Sequence, residues 1–230
     1  IYFARPDSMV EGRSVYEARK NIGAELARER PVPADVVIPV PDSGVPAALG
    51  YSVASGIPFE LGIIRNHYVG RSFIEPTDQI RNFRVKLKHN ANRAQLQGKR
   101  VILVDDSIVR GTTSLKIVSM VREAGAAEVH MRIAAPPTSY SCYYGVDTPE
   151  RSKLLAAQKT VDEMAEHIGV DSLAFISMDG LYRAMGEQDG RNPVRPKFCD
   201  ACFTGDYPTS LSDVSKGDPT KQLSLLAESA

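Results

Sequence analysis

The residues best suited to chemistry are two adjacent acids at the end of an apolar run. A short loop with a glycine and then three hydroxyl residues follow them in the sequence. A helix that begins at hydroxyl residues presents unpaired backbone N–H groups and a partial positive charge, which suit a phosphate. The acids can accept hydrogen bonds from sugar hydroxyls or bind a metal ion. The sequence therefore predicts a site for a phosphorylated ribose. The segment consists of the run 101–104 and of Asp105, Asp106, Arg110, Gly111, Thr112, Thr113 and Ser114.

Two simpler interpretations compete with this one. A strand end with solvated acids and a capped helix explains each feature alone but not their order. A phosphoaspartate receiver or a nucleotide hydrolase also places an acid after a strand. Neither class explains the sequence Gly-Thr-Thr-Ser at 111–114. The chain also lacks the Gly-rich, lysine-containing phosphate loop of nucleotide hydrolases.

Alternating strands and helices must position this segment. Near-continuous apolar strands that alternate with helices predict an α/β protein, with a mainly parallel sheet and helices on both faces. Ligands of such sheets bind at the carboxyl ends of the strands. The predicted strands are 35–40, 59–64, 101–104 and 128–135, and the predicted helices are 14–30, 45–55 and 112–124.

A long basic stretch separates two of the core strands. Residues 65–100 contain nine Lys or Arg but only Glu75 and Asp78 as acids. Such a stretch within a compact domain is often functional. We expect a flexible lid over about 71–97 that closes on an anionic substrate and excludes water. Arg81 and Lys86 are the candidates for contacting that substrate.

The run 101–114 resembles the phosphoribosyl-pyrophosphate motif of type I phosphoribosyltransferases. The sequence at 105–113, Asp-Asp-Ser-Ile-Val-Arg-Gly-Thr-Thr, is similar to that of the glutamine phosphoribosylpyrophosphate amidotransferase family. Residues 39–44 resemble the pyrophosphate-binding loop of that family, and 71–74 and 80–87 resemble its flexible catalytic loop. The resemblance covers about residues 1–206 and implies a type I phosphoribosyltransferase fold with a C-terminal helical or irregular extension.

The resemblance also implies an activity and roles for residues. The family transfers the phosphoribosyl group of phosphoribosyl pyrophosphate to ammonia, the first committed step of purine synthesis. Asp105 and Asp106 would hold the ribose hydroxyls, and residues 110–114 would hold the 5-phosphate. Asp42, Ser43 and Gly44 would bind pyrophosphate, and Mg²⁺ would be bound at Ser43, Asp105 and Asp106.

The chain has three cysteines, Cys142, Cys199 and Cys202. Cys199 and Cys202 form a Cys-x-x-Cys clip, which from chemistry alone suggests half of a zinc or iron–sulfur site. A redox pair is disfavoured because an extended segment precedes the clip. Buried cysteines without a ligand remain an alternative. The resemblance implies a 4Fe–4S cluster, since one branch of the family carries such a cluster on four cysteines. The fourth ligand would then lie upstream of Ile1.

Composition and resemblance together suggest how the chain is organised. Its formal net charge is zero, which gives no support to nucleic-acid or membrane binding. We expect a cytoplasmic protein, a core over 1–150, an extension that carries the cysteines over 151–206, and a polar tail over 207–230. The resemblance implies an N-terminal glutaminase domain absent from this chain, inhibition by purine nucleotides, and a homo-oligomer.

Two rival functions remain open from the sequence. A salvage phosphoribosyltransferase that acts on a free base would share the ribose-phosphate motif but would have no reason to carry the three cysteines. A regulator with the same fold would bind nucleotide or RNA without turnover, and would need a basic face outside the lid. Product analysis with ammonia and with free bases separates these possibilities.

Overall fold

The computed structural model describes residues 2–66 and 89–211, and its elements form an α/β arrangement. Arg81, Lys86 and the rest of 67–88 lie outside the described residues. In chain order the elements are β1 Met9–Val10, β2 Arg13–Ser14, α1 Val15–Glu29, β3 Val36–Pro39, α2 Val45–Ser55, β4 Ile63–Arg65, β5 His89–Ala91, α3 Arg93–Leu96, β6 Arg100–Asp105, α4 Thr112–Glu123, β7 Glu128–Ile133, a 3-10 turn Arg151–Lys153, α5 Leu155–Gln158, α6 Val161–Ile168, β8 Ser172–Phe175, α7 Met178–Ala184 and α8 Ala201–Thr204.

Four parallel strands make the main sheet, in the order β3-β6-β7-β8. Side chains of β6 alternate between two hydrophobic clusters, because successive residues of a strand point to opposite faces. Val101 and Leu103 pack with residues of α4 and α6, whereas Ile102 and Val104 pack with residues of α1 and α2. Helices therefore cover both faces of the sheet, which explains the near-continuous apolar strands.

The connection between α2 and β6 differs from the sequence prediction. The strand predicted over 59–64 is wrong in extent: Phe59 makes only an isolated bridge with Val37, and β4 begins later, at Ile63. β4 pairs antiparallel with β5 in a separate two-stranded sheet. Residues 89–97 of the predicted lid form β5 and α3, and Leu96 is fully buried. The lid prediction therefore extended too far at its carboxyl end.

The predicted C-terminal extension contains part of the main sheet. Helices α5, α6 and α7 lie in it, as expected, but β8 was not predicted. β8 pairs with β7 from His130↔Ser172 to Ile133↔Phe175. Its four residues alternate in burial, too short a pattern to identify a strand. No helix among residues 2–66 and 89–211 has the length and apolar character needed to cross a membrane.

Candidate functional site

The carboxyl end of β6 continues into a loop that ends at α4, as the sequence predicted. Gly111 precedes α4 with a φ of 75°, a conformation that residues with a Cβ rarely adopt. A Cβ at Gly111 would lie 2.6 Å from Leu155 Cδ2. The Leu155 N–H donates to the Val109 carbonyl at 2.9 Å, so α5 supports the loop from behind. These contacts therefore hold the loop in place, with the start of α4 at the carboxyl end of β6.

Two carboxylates begin this loop. Asp105 is 7% exposed and Asp106 is partly buried. The Asp106 N–H donates to Asp105 Oδ1 at 2.8 Å, and the Ser107 hydroxyl donates to Asp106 Oδ1 at 3.3 Å. Burial, and then the Asp106 carboxylate, raise the pKa of Asp105 well above its usual range. Burial also raises the pKa of Asp106, although the charge of Arg19 opposes both shifts.

A second loop lies beside the first, at the end of β3. Its Val40 N–H donates to the Val104 carbonyl at 2.9 Å, which joins it to β6. Gly44 packs directly on this junction, since a Cβ there would lie 2.3 Å from the Val104 oxygen. The Pro41–Asp42 peptide is cis. Asp42 forms an ion pair with Arg65, a partner that the sequence did not suggest.

The two loops line one open cavity of about 480 Å³. Ser43 contributes from the β3 loop, and both acids contribute from the β6 loop. All of the predicted 5-phosphate residues line it too: Arg110, Gly111, Thr112, Thr113 and Ser114. Asp42 and Gly44 do not line it, although Asp42 lines an adjoining cavity of about 420 Å³ with Arg5, Arg19 and Arg65.

Several residues at these cavities were not predicted as site residues from the sequence. His89 lines both cavities. Asp147 lines the larger cavity. Arg19 lies on α1, far from the 101–114 segment in the sequence. Only the way α1 packs brings it to Ser43, to whose carbonyl its Nη1 donates at 2.9 Å.

The three cysteines lie near one another. Cys142 and Cys199 both act electrostatically on Cys202, whose pKa is raised chiefly by burial. The Tyr144 N–H donates to Cys142 Sγ at 3.4 Å. Among residues 2–66 and 89–211, however, no three His, Cys, Asp or Glu side chains are grouped so as to hold a metal ion.

Comparison with known proteins decides the family. Residues 14–148 match the phosphoribosyl transferase domain family. The chain belongs to that family. The match includes the β3 loop, the β6 loop and the start of α4.

Full-length relatives of the transferase domain agree with the resemblance seen in the sequence. The chain is 66% identical over 228 residues to the amidophosphoribosyltransferase of Rhizobium etli, covering 99% of this chain and 46% of that protein. It is 59% identical over 214 residues to the chloroplastic amidophosphoribosyltransferase 1 of Arabidopsis thaliana, covering 93% of this chain and 37% of that protein. The chain thus spans about half the length of these relatives or less.

A solved structure shows the same fold. Glutamine phosphoribosylpyrophosphate amidotransferase from B. subtilis, complexed with ADP and GMP, is 51% identical and superposes with a TM-score of 0.82. The alignment covers 91% of this chain and 46% of that chain. The predicted α/β class, type I phosphoribosyltransferase fold and resemblance to the amidotransferase family are confirmed.

Proposed function

We propose that the protein to which this chain belongs is an amidophosphoribosyltransferase that acts on phosphoribosyl pyrophosphate and ammonia. One observation carries the proposal: Asp105, Asp106, Ser43 and the start of α4 line the same cavity. That cavity offers donors for a phosphate at one end and acceptors for sugar hydroxyls beside them. The identity to amidophosphoribosyltransferases across nearly the whole chain supports the choice of nitrogen as the acceptor.

Each side of the cavity has a distinct task in this reaction. The backbone and hydroxyls of 110–114 hold the 5-phosphate, because a helix start presents N–H donors and a positive partial charge. The two acids hold the ribose hydroxyls, and the β3 loop at Ser43 faces the pyrophosphate. Arg81 and Lys86, outside the described residues, are proposed to contact the same pyrophosphate.

The reaction needs no nucleophilic side chain. The nitrogen lone pair attacks the anomeric carbon, the bond from that carbon to the pyrophosphate oxygen breaks, and the nitrogen loses one proton. Oxygen donors at Asp105, Asp106 and Ser43 fit Mg²⁺, which would neutralise charge on the departing pyrophosphate. The chain itself orients the sugar and holds the leaving group in line with the attacking nitrogen.

The remaining partners follow from the relatives. The curated relatives are about twice the length of this chain, which leaves room for a glutaminase domain that supplies ammonia. The B. subtilis enzyme was solved with ADP and GMP, which supports purine nucleotides as inhibitors here. A homo-oligomer and a cytoplasmic location complete the proposal.

Pyrophosphate release tests the function directly. The full-length protein with Mg²⁺ and phosphoribosyl pyrophosphate should release pyrophosphate with ammonium or glutamine, and not with free purine bases. The transferase domain alone should respond to ammonium and not to glutamine. Release with a free base would indicate the salvage enzyme instead. No release with any acceptor, although nucleotide binds, would indicate the regulator.

We also propose that the full-length protein holds a 4Fe–4S cluster on Cys142, Cys199 and Cys202. Thiolates are the ligands of such clusters, and the Tyr144 N–H already donates to Cys142 Sγ, a contact that tunes cluster potential. Tyr2 lies close to Cys202, and burial and then this thiol raise the pKa of Tyr2. A cysteine shortly before Ile1 could therefore provide the fourth ligand. Iron and acid-labile sulfide should be present in the anaerobically purified protein and lost in Cys142→Ser.

Asp200, inside the Cys-x-x-Cys clip, is expected to stabilise the cysteine region. The residue is 3% exposed, and its carboxylate accepts from Tyr182 Oη at 2.7 Å and from Arg191 Nε at 2.6 Å. Burial alone would raise its pKa, but these donors lower it below the usual value. We expect Asp200→Asn to reduce the free energy of unfolding by about 3 kcal/mol, the cost of breaking a buried pair.

The pH dependence and a second carboxylate provide the checks on that prediction. A lowered pKa means that the stabilisation by Asp200 is present above pH ~4 and is lost as pH falls through the pKa in the folded state. The difference from Asp200→Asn should therefore shrink in acid. Asp206 pairs with the same Arg191 but is 68% exposed. Asp206→Asn should cost less than about 1 kcal/mol in urea unfolding, and equal costs would contradict the argument.

A further inference from the structure

Arg19 is a buried arginine of α1 that contacts the β3 loop and lines the cavity of about 420 Å³. Arg19 as a whole residue is only 5% exposed. Nη1 donates to the Ser43 carbonyl at 2.9 Å, and Nη2 donates to the Ala4 carbonyl at 3.0 Å. One guanidinium therefore joins the β3 loop to the segment that leads into α1. Because the Ser43 carbonyl is held from behind, the peptide plane between Ser43 and Gly44 is fixed.

The helix that carries Arg19 is itself held tightly. A Cβ at Gly23 of α1 would lie 1.8 Å from the Ala47 carbonyl oxygen of α2. The two helices therefore meet backbone to backbone, and α2 begins directly after the β3 loop. This contact fixes the position of the Arg19 backbone relative to Ser43.

Arg19 also lies close to Asp106 of the β6 loop. Arg19, Ser43 and Asp106 line a small cavity of about 10 Å³, together with Tyr2, Ile22, Ala47 and Ala134. A cavity of this size admits about one water molecule, provided that two or more polar groups face it. Arg19 Nε is buried and has no hydrogen-bond partner among the described residues. A water bonded to Nε and to the Asp106 carboxylate satisfies both conditions.

We infer that Arg19 is a positioning residue of the transferase site, holding the Ser43 carbonyl directly and the Asp106 carboxylate through one buried water. The inference rests on the proposed function, because it concerns how that site binds phosphoribosyl pyrophosphate. Arginine suits the task because its planar fork carries five donors and stays charged when buried. A lysine keeps the charge but cannot donate to Ser43, Ala4 and the water from one fixed plane.

The competing interpretation is that Arg19 only stabilises the fold, and Arg132 provides the matched control. Arg132 is 4% exposed, and its Nε and Nη1 donate to the carbonyls of Arg30 and Met131 at 2.9 and 3.0 Å. It lines neither of the two large cavities. Arg19→Lys, Arg19→Met and Arg132→Lys would be made in the full-length protein. Each would be compared with the wild type in thermal unfolding, in ammonium-dependent kinetics, and in calorimetric binding of phosphoribosyl pyrophosphate with Mg²⁺.

The binding measurement decides the inference. We expect Arg19→Lys to weaken binding of phosphoribosyl pyrophosphate roughly 10-fold and Arg19→Met roughly 100-fold, the range for hydrogen bonds to a charged donor. KM should rise accordingly, and kcat should change less. Arg132→Lys should lower the unfolding temperature but leave binding unchanged. Wild-type affinity in folded Arg19→Lys, or equal losses in Arg132→Lys, would overturn the inference. Failure of the wild type to release pyrophosphate would refute the proposed function instead, while the binding comparison still decides the role of Arg19.

Discussion

Replacing Asp105 and Asp106 together with asparagine should abolish turnover while the fold is retained. Both carboxylates line the cavity with Ser43 and the start of α4, where they are placed to hold the ribose and to provide oxygen ligands for Mg²⁺. Removal of one preorganised electrostatic contact costs about 10²- to 10³-fold in kcat, and removal of both should leave no measurable ammonium-dependent pyrophosphate release. The measurement is pyrophosphate release at saturating Mg²⁺ and substrate.

The stability of the same double variant should move in the opposite direction. Burial raises the pKa of both acids, so the folded protein binds protons more tightly than the unfolded chain does. Stability contributed by such groups is present at low pH and declines as pH rises above the unfolded value of about 3.9. Without Mg²⁺ and substrate, the asparagine variant should therefore unfold at an equal or higher temperature than the wild type at pH 7. The difference should vanish near pH 4.

An exposed acid provides the control for both measurements. Asp35 accepts from the Arg100 side chain at 2.8 Å but lies at the opposite end of β6 from the cavity. Asp35→Asn should keep wild-type turnover and should not gain stability at neutral pH. Full activity in the Asp105/Asp106 double variant would show that the ribose site is elsewhere. A double variant that is inactive and also unfolded at pH 7 would contradict the pKa argument.

The part of this site that the sequence could predict is the part that is contiguous. The order of apolar residues, acids, glycine and hydroxyl residues in 101–114 is encoded locally, because a strand end and a helix start each have their own residue preferences. The predicted helices 14–30, 45–55 and 112–124 agree closely with α1, α2 and α4 for the same reason.

The parts that the sequence could not predict depend on tertiary packing. Arg19 reaches Ser43 only because α1 lies against α2. Its one local signal is its place beside Val15 and Ile22 on the buried face of that helix. Arg65 of β4 pairs with Asp42 in the loop that follows β3. β8 joins the main sheet through pairing with β7, although its own four residues show too short a pattern to be recognised. Long-range contacts of this kind have no local signature.

Substituting Gly44 with alanine should disable the β3 loop through a clash between backbone atoms. The added Cβ would lie 2.3 Å from the Val104 oxygen and 2.9 Å from the Val40 oxygen. Neither atom belongs to a flexible side chain, because Val104 is in the central strand β6 and Val40 is hydrogen-bonded to it. The loop must therefore move away from β6 and carry Ser43 with it. A displacement of about 1 Å at a catalytic site can cost roughly 10²-fold in rate, so we expect kcat/KM for phosphoribosyl pyrophosphate to fall by about that factor.

Gly56 at the other end of α2 separates this effect from general destabilisation. Gly56 has a φ of 72°, but a Cβ there would meet nothing within 4 Å. Gly56→Ala should therefore cost about 1 kcal/mol of backbone strain in unfolding experiments and leave kcat/KM unchanged. Gly44 has an ordinary φ of −77°, so its substitution acts through the clash alone. If the two variants lost activity to the same extent, the loss would follow from weakening of α2 and not from displacement of the loop. A selective loss in Gly44→Ala would show that the contact of this loop with β6 sets the position of Ser43 in the cavity.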